Sequence, residues 1–88
     1  MKPILFTLTH CPKCEAVKGY LRKVDYSWYS LPHDFKDWQE FDIKTVKEYG
    51  IFEDIQENAP ILIVGDRKII GQLRIKKWVQ DEGIVYTS

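Results

Sequence analysis

The two cysteines of this chain, Cys11 and Cys14, stand three residues apart where an apolar run gives way to a helical pattern, and that placement limits the available folds. A bridge between them closes so small a loop that loop-closure entropy lends it little stabilising power. Small secreted scaffolds instead carry several disulfides at scattered spacings. The 88 residues suit one domain, 1–88, with a modest core. Such a chain must be held by packing, which leaves the cysteine pair for chemistry.

The pattern of apolar residues supplies the packing. Pro3 to Leu8 reads as a short buried strand, bounded by the Thr9-His10-Cys11-Pro12 turn. From Pro12 to Val24, the residues Ala16, Val17, Tyr20, Leu21 and Val24 recur at helical spacing, slightly weakened by Gly19. Tyr26 to Leu31 is rich in strand formers. Pro32 to Phe41 mixes aromatics with charges and reads as a loop or irregular turn. Asp42 is expected to cap a helix that presents Ile43, Val46 and Tyr49 on one face and stops at Gly50. Ile51 to Asn58 reads as a connection to Ala59-Pro60. Beyond it, Ile61–Val64 and Arg67–Ile70 flank Gly65-Asp66, a two-residue hairpin signal. A last helix runs from Gln72 to Glu82 with Ile75, Trp78 and Val79 inward and Gly83 as its stop. Strand–helix–strand implies a right-handed parallel crossover, and the hairpin adds antiparallel strands to a mixed sheet.

Cys11 falls at the N-cap of the first helix and Pro12 at its first position, where a missing N–H costs nothing. An N-cap side chain accepts from the N–H groups two or three residues on, here including that of Cys14. The helix dipole and these amides favour a thiolate on Cys11, and Lys13 and a protonated His10 push the same way. The thiolate is the attacking species in disulfide exchange. Cys14, one turn further in, is expected to be less exposed and close enough to close the ring. Cys11 is thus the expected nucleophile and Cys14 the resolving residue.

Other readings of these residues are less demanding. Two cysteines can serve as small core hydrophobes, and His10, Cys11, Cys14 and His33 could supply four zinc ligands, although a lone C-x-x-C is weak support for metal. Trp28, Tyr29, Phe35 and Trp38 read as core or partly covered surface rather than a binding platform. Arg67, Lys68, Arg74, Lys76 and Lys77 read as a solvated face. Hydrophobic residues make up 44% and charged residues 30%, an ordinary globular balance, and a formal net charge of zero points to neither nucleic acid nor an anionic membrane. No apolar run has the length of a spanning helix. With no signal-peptide pattern after Met1-Lys2-Pro3, the expected location is the cytoplasm.

Three motifs carry a resemblance: Thr9-His10-Cys11-Pro12-Lys13-Cys14 after the first strand, Ala59-Pro60 before the third, and Ile70-Gly71 after the hairpin. In this order they resemble glutaredoxins and their relatives in the thioredoxin superfamily. The resemblance implies a thioredoxin-like α/β fold of glutaredoxin type, strand–helix–strand–helix–strand–strand–helix, with a four-stranded mixed sheet flanked by helices. It also implies a cis Ala59–Pro60 bond beside the cysteines and a role for the Ala59 backbone in pairing with substrate. Pro12, Lys13, Ala59, Pro60, Gly71 and Gln72 become the expected substrate-binding residues around the catalytic Cys11 and Cys14, with no metal.

The implied activity is that of a dithiol–disulfide oxidoreductase acting on protein or mixed disulfides as a monomer, without a bound cofactor. Glutathione or a flavin-dependent disulfide reductase would reload it. Leu8 stands where glutaredoxins commonly have a lysine. Ile70-Gly71-Gln72-Leu73 lacks the first glycine and the aspartate that hold the γ-glutamyl end of glutathione, and Arg74 follows with the opposite charge. Glutathione is therefore expected to be held weakly. A carrier of metal or an iron–sulfur cluster through Cys11 is the alternative on the same fold, although such relatives usually keep a single cysteine at the motif.

Overall fold

The computed structural model describes residues 2–82. Four strands, β1 (Ile4–Leu8), β2 (Ser27–Leu31), β3 (Ile61–Val64) and β4 (Arg67–Ile70), form one sheet in the order β2-β1-β3-β4. β1 pairs in parallel with β2, from Ile4 opposite Ser27 to Leu8 opposite Leu31, and antiparallel with β3, with Leu5 opposite Leu62. β3 and β4 form the expected hairpin, turning at Gly65 with φ +60°.

Among the described residues four α-helices cover the sheet: α1 (Pro12–Tyr20), α2 (Glu40–Glu48), α3 (Phe52–Asn58) and α4 (Gln72–Asp81). Because side chains alternate along a strand, Leu5 and Phe6 are both buried yet serve opposite faces. Leu5 and Leu62 pack with Val17 and Leu21 from the first helical segment and with Ile75, Trp78 and Val79 from α4. Phe6, Ile61 and Ile63 pack with Val46, Ile51, Ile55 and Trp38. A sheet covered on both faces explains why β1 and β3 read as continuous apolar runs. Each fully buried aliphatic side chain contributes about 1.5–3 kcal/mol by leaving water.

Three sequence expectations need correction, while the irregular turn expected within 32–41 is present. α1 ends at Tyr20 rather than Val24: a turn follows in which the Val24 N–H donates to the Leu21 carbonyl at 2.8 Å, leaving Leu21 buried and Val24 against the same core. The segment 32–41 contains a 3-10 turn, Phe35–Asp37, after which Trp38 inserts into the core and donates its Nε1–H to the Pro32 carbonyl at 2.8 Å. Asp42 is not the N-cap of α2 but its third residue. The cap is Gln39, whose backbone N–H donates to Asp42 Oδ2 at 2.9 Å.

The expected connection 51–58 contains α3, so two α-helices separate β2 from β3 where one was expected. The short helix is fastened by Ile51 and Ile55, which are fully buried and lie four residues apart on one face. It follows a sharp reversal at Gly50, φ +70°, where the Ile51 N–H donates to the Val46 carbonyl at 2.9 Å. The expected stop of α4 at Gly83 lies outside the described residues. No helix among them is long and apolar enough to cross a membrane.

Candidate active site

β1 delivers the chain to a two-residue turn, Thr9-His10, that is fastened on its far side. The Thr9 N–H donates to the Leu31 carbonyl at 2.9 Å, and Thr9 Oγ1 accepts from the His33 N–H at 2.9 Å. His10 adopts φ +56°, a conformation uncommon for a residue with a β-carbon. That reversal aims the chain into α1 with Cys11 as its N-cap and Pro12 as its first residue.

Cys11 Sγ accepts a hydrogen bond from the Cys14 N–H at 3.2 Å, and the Cys11 carbonyl accepts from the N–H groups of Cys14 and Glu15. The two cysteines form a disulfide, with Cα atoms 5.2 Å apart, inside the range such a bridge requires. Cys14 is 2% exposed, whereas Cys11 is partly exposed at the end of the helix. A partner can therefore reach the first sulfur and not the second.

The structure divides the expected site residues between two depressions. Cys11, Pro12 and Cys14 line a cleft of about 550 Å³ that also takes in Thr7, Lys18, Trp28 and Ser30. Lys13, Ala59, Gly71 and Gln72 line a second groove of about 390 Å³, together with Asn58, Leu73 and Arg74. Pro60 is buried. Its bond to Ala59 is cis, and its carbonyl accepts from the Gly71 N–H at 2.9 Å, which holds the start of α4 against the start of β3. Gln72 Nε2 donates to the Tyr20 hydroxyl at 3.3 Å, tying α4 to α1.

Sequence reasoning missed the Trp28 wall of the first cleft. Trp28 is 55% exposed, but its Nε1–H donates to Thr7 Oγ1 at 2.8 Å and Lys18 Nζ lies 3.5 Å from its ring centroid. Parallel pairing of β1 with β2 brings these residues together, and no short-range pattern displays it. The His33 ring nitrogen Nδ1 lies 3.2 Å from the Thr9 carbonyl, and no group of three or more His, Cys, Asp or Glu side chains among the described residues is arranged to hold a metal.

No protein-family model matches the sequence, and no curated protein matches it. Among solved structures the chain is similar to a glutathione S-transferase from the Antarctic clam Laternula elliptica, with a TM-score of 0.67 and 19% sequence identity over 93% of this chain. The match takes in 35% of that chain, so this protein spans about a third of its length. At that identity the likeness speaks for the fold. The chain has a thioredoxin-like α/β fold that carries a cysteine pair at disulfide distance.

Proposed function

We propose that the chain is a small, glutaredoxin-like thiol–disulfide oxidoreductase that reduces protein or mixed disulfides through Cys11 and Cys14. The observation that carries this reading is the asymmetry of the pair: Cys11 is partly exposed at the N-cap of α1, and Cys14 is buried one turn behind it with its N–H on the first sulfur. In the reduced protein, Cys11 attacks one sulfur of the substrate disulfide and expels the other as a thiolate. Cys14 then attacks Cys11 of the mixed disulfide, releases the second substrate thiol and leaves the Cys11–Cys14 bridge. Two electrons pass to the substrate, and an external dithiol equivalent restores the pair.

Lys13, Ala59, Gly71 and Gln72 share a groove, which supports their assignment as substrate-binding residues. Ala59 offers backbone groups for strand-like pairing with a substrate peptide. The domain 1–88 works as a monomer in the cytoplasm without a bound cofactor, and glutathione or a flavin-dependent reductase reloads it. Pre-reduced protein incubated with a peptide disulfide tests the reading. It should lose its two thiols as the peptide gains two, at a rate far above that of a free dithiol at the same concentration. Reduction no faster than the free dithiol overturns it.

A further inference from the structure

Trp28 is an exposed aromatic residue that is nonetheless held in place. Thr7 Oγ1, on a side chain only 1% exposed, anchors its indole N–H, and Lys18 lies over its ring while Glu15 holds Lys18 at 3.3 Å. Ordering a large side chain normally opposes binding, and here the fold has already fixed it. Tryptophan is among the residues most enriched where a few side chains carry most of the binding energy. The cavity is the one that Cys11 and Cys14 themselves line, with Leu8, Pro12 and Ser30 among its other walls and Thr9 and His10 at the turn that precedes Cys11.

We propose that the Trp28 cleft is a substrate subsite that selects disulfides with an apolar or aromatic side chain next to the reactive cysteine. This rests on the oxidoreductase reading, because the occupant is identified by its bond to Cys11. Whatever is joined to that sulfur in the mixed disulfide has its neighbouring residues beside the cleft. The choice of an apolar over a charged occupant follows from the walls. Glu15 compensates Lys18, so the paired charges leave no strong local field. The open area of Trp28, Pro12 and Leu8 is gained only by a group that leaves water to cover it. The second groove, with Lys13 and Arg74, lies on the side of Ala59 and does not include Cys11. The subsite thus adds a selection of side chain to the backbone pairing expected at Ala59.

The test uses the full chain carrying Cys14→Ser, which stops the reaction at the mixed disulfide. It is offered peptides, each with one cysteine bonded to 2-mercaptoethanol and with Phe, Leu, Ser or Gly beside that cysteine. Cys11 attacks the peptide sulfur, forms the Cys11–peptide bond and releases mercaptoethanol as its thiolate, and mass spectrometry follows the adduct. Phe and Leu peptides should react about three- to tenfold faster than Gly peptides, the range expected for one added aromatic contact.

Trp28→Ala should bring that ratio close to one, provided its circular dichroism and melting show a folded protein. Ser30→Phe fills the cleft from the position two residues along the same strand and should do the same while leaving the residues of the Trp28 anchor unchanged. A ratio unchanged in both variants, or equal rates for all peptides with the unsubstituted cleft, overturns the subsite alone. No adduct with any peptide overturns the oxidoreductase reading and the subsite with it.

Discussion

Cys11 and Cys14 are related as N-cap and third residue of α1, and the N–H of the second donates to the sulfur of the first at 3.2 Å. One helical turn thus sets both the environment of the first sulfur and its distance from the second. In the proposed reaction, the same amide that would stabilise charge on Cys11 belongs to the residue that then attacks it. Burial of Cys14 keeps external disulfides away from its sulfur until Cys11 is engaged.

From this asymmetry, Cys11→Ser should abolish reduction of disulfide substrates, and Cys14→Ser should retain the first step and accumulate mixed disulfides. Intact-mass measurement after exposure to a protein disulfide distinguishes the two. Adducts on Cys11→Ser, with none on Cys14→Ser, would reverse the roles assigned here.

Glutathione should reload this protein poorly. Its carboxylates and ammonium group need placed partners, and the groove beside Ala59 offers the cations Lys13 and Arg74 but no carboxylate for the ammonium. Leu73, in the place where the resembling family has an acid, is 78% exposed and has no side-chain oxygen to accept from the ammonium. Each missing charge-assisted hydrogen bond weakens binding by about 1.5–3 kcal/mol, so a loss of tenfold or more is expected relative to a glutaredoxin with a full set. What attraction remains is long-range, and salt should reduce the rate steeply. Turnover with glutathione and glutathione reductase that is fast and indifferent to salt would show that other residues rebuild the site.

Elements with a strong periodic signal were legible in the sequence: β1, the β3–β4 hairpin, the inward face of α4 and the cap at Cys11. Their information is local, carried by residues within one or two turns of each other. α3 was not legible because seven residues with two fully buried positions, Ile51 and Ile55, carry too little pattern to set apart a helix from a connection. The stretch 32–41 was opaque for another reason. Trp38 is fixed by a hydrogen bond to Pro32 and by core residues far along the chain, so its burial is a tertiary property. The same holds at the site. The N-cap position of Cys11 was readable from its spacing, but the Trp28 wall of the cleft was not, because Trp28 reaches Thr7 across 21 residues of sequence.

The phenol of Tyr29 is pushed above its usual 10.0, first by burial and then by its hydrogen bond to Asp42, partly offset by Thr45; burial also raises that of Tyr26. Raised values mean that the folded state favours the neutral phenol. The stability this confers is complete below pH 10, where both states keep the proton. It is lost as pH rises past the unfolded value and through the folded one. Thermal melts should therefore show a decline beginning near pH 10, and Tyr29→Phe should make that decline shallower. Ultraviolet titration should find tyrosinate forming later in the folded protein than in urea. An identical alkaline decline in Tyr29→Phe would assign the loss to other groups.

Asp42 joins β2 to the start of α2, and its removal should be among the most damaging polar changes in the fold. It is 5% exposed; Oδ1 accepts from the Tyr29 hydroxyl and Oδ2 from the Gln39 N–H, both at 2.9 Å. Asp42→Ala leaves a helix-start amide and a tyrosine hydroxyl without an acceptor, a loss of about 2–4 kcal/mol when the capping and desolvation contributions are combined. Tyr29→Phe removes one donor and should cost about 1 kcal/mol. If the two act through the same hydrogen bond, the double variant should lose less than the sum of the singles, since the second substitution removes a hydroxyl already stranded. Urea unfolding of the four proteins measures this directly. Strict additivity, or an Asp42→Ala protein within about 0.5 kcal/mol of the parent, the range of an ordinary surface change, would show that the carboxylate does not join these elements in solution.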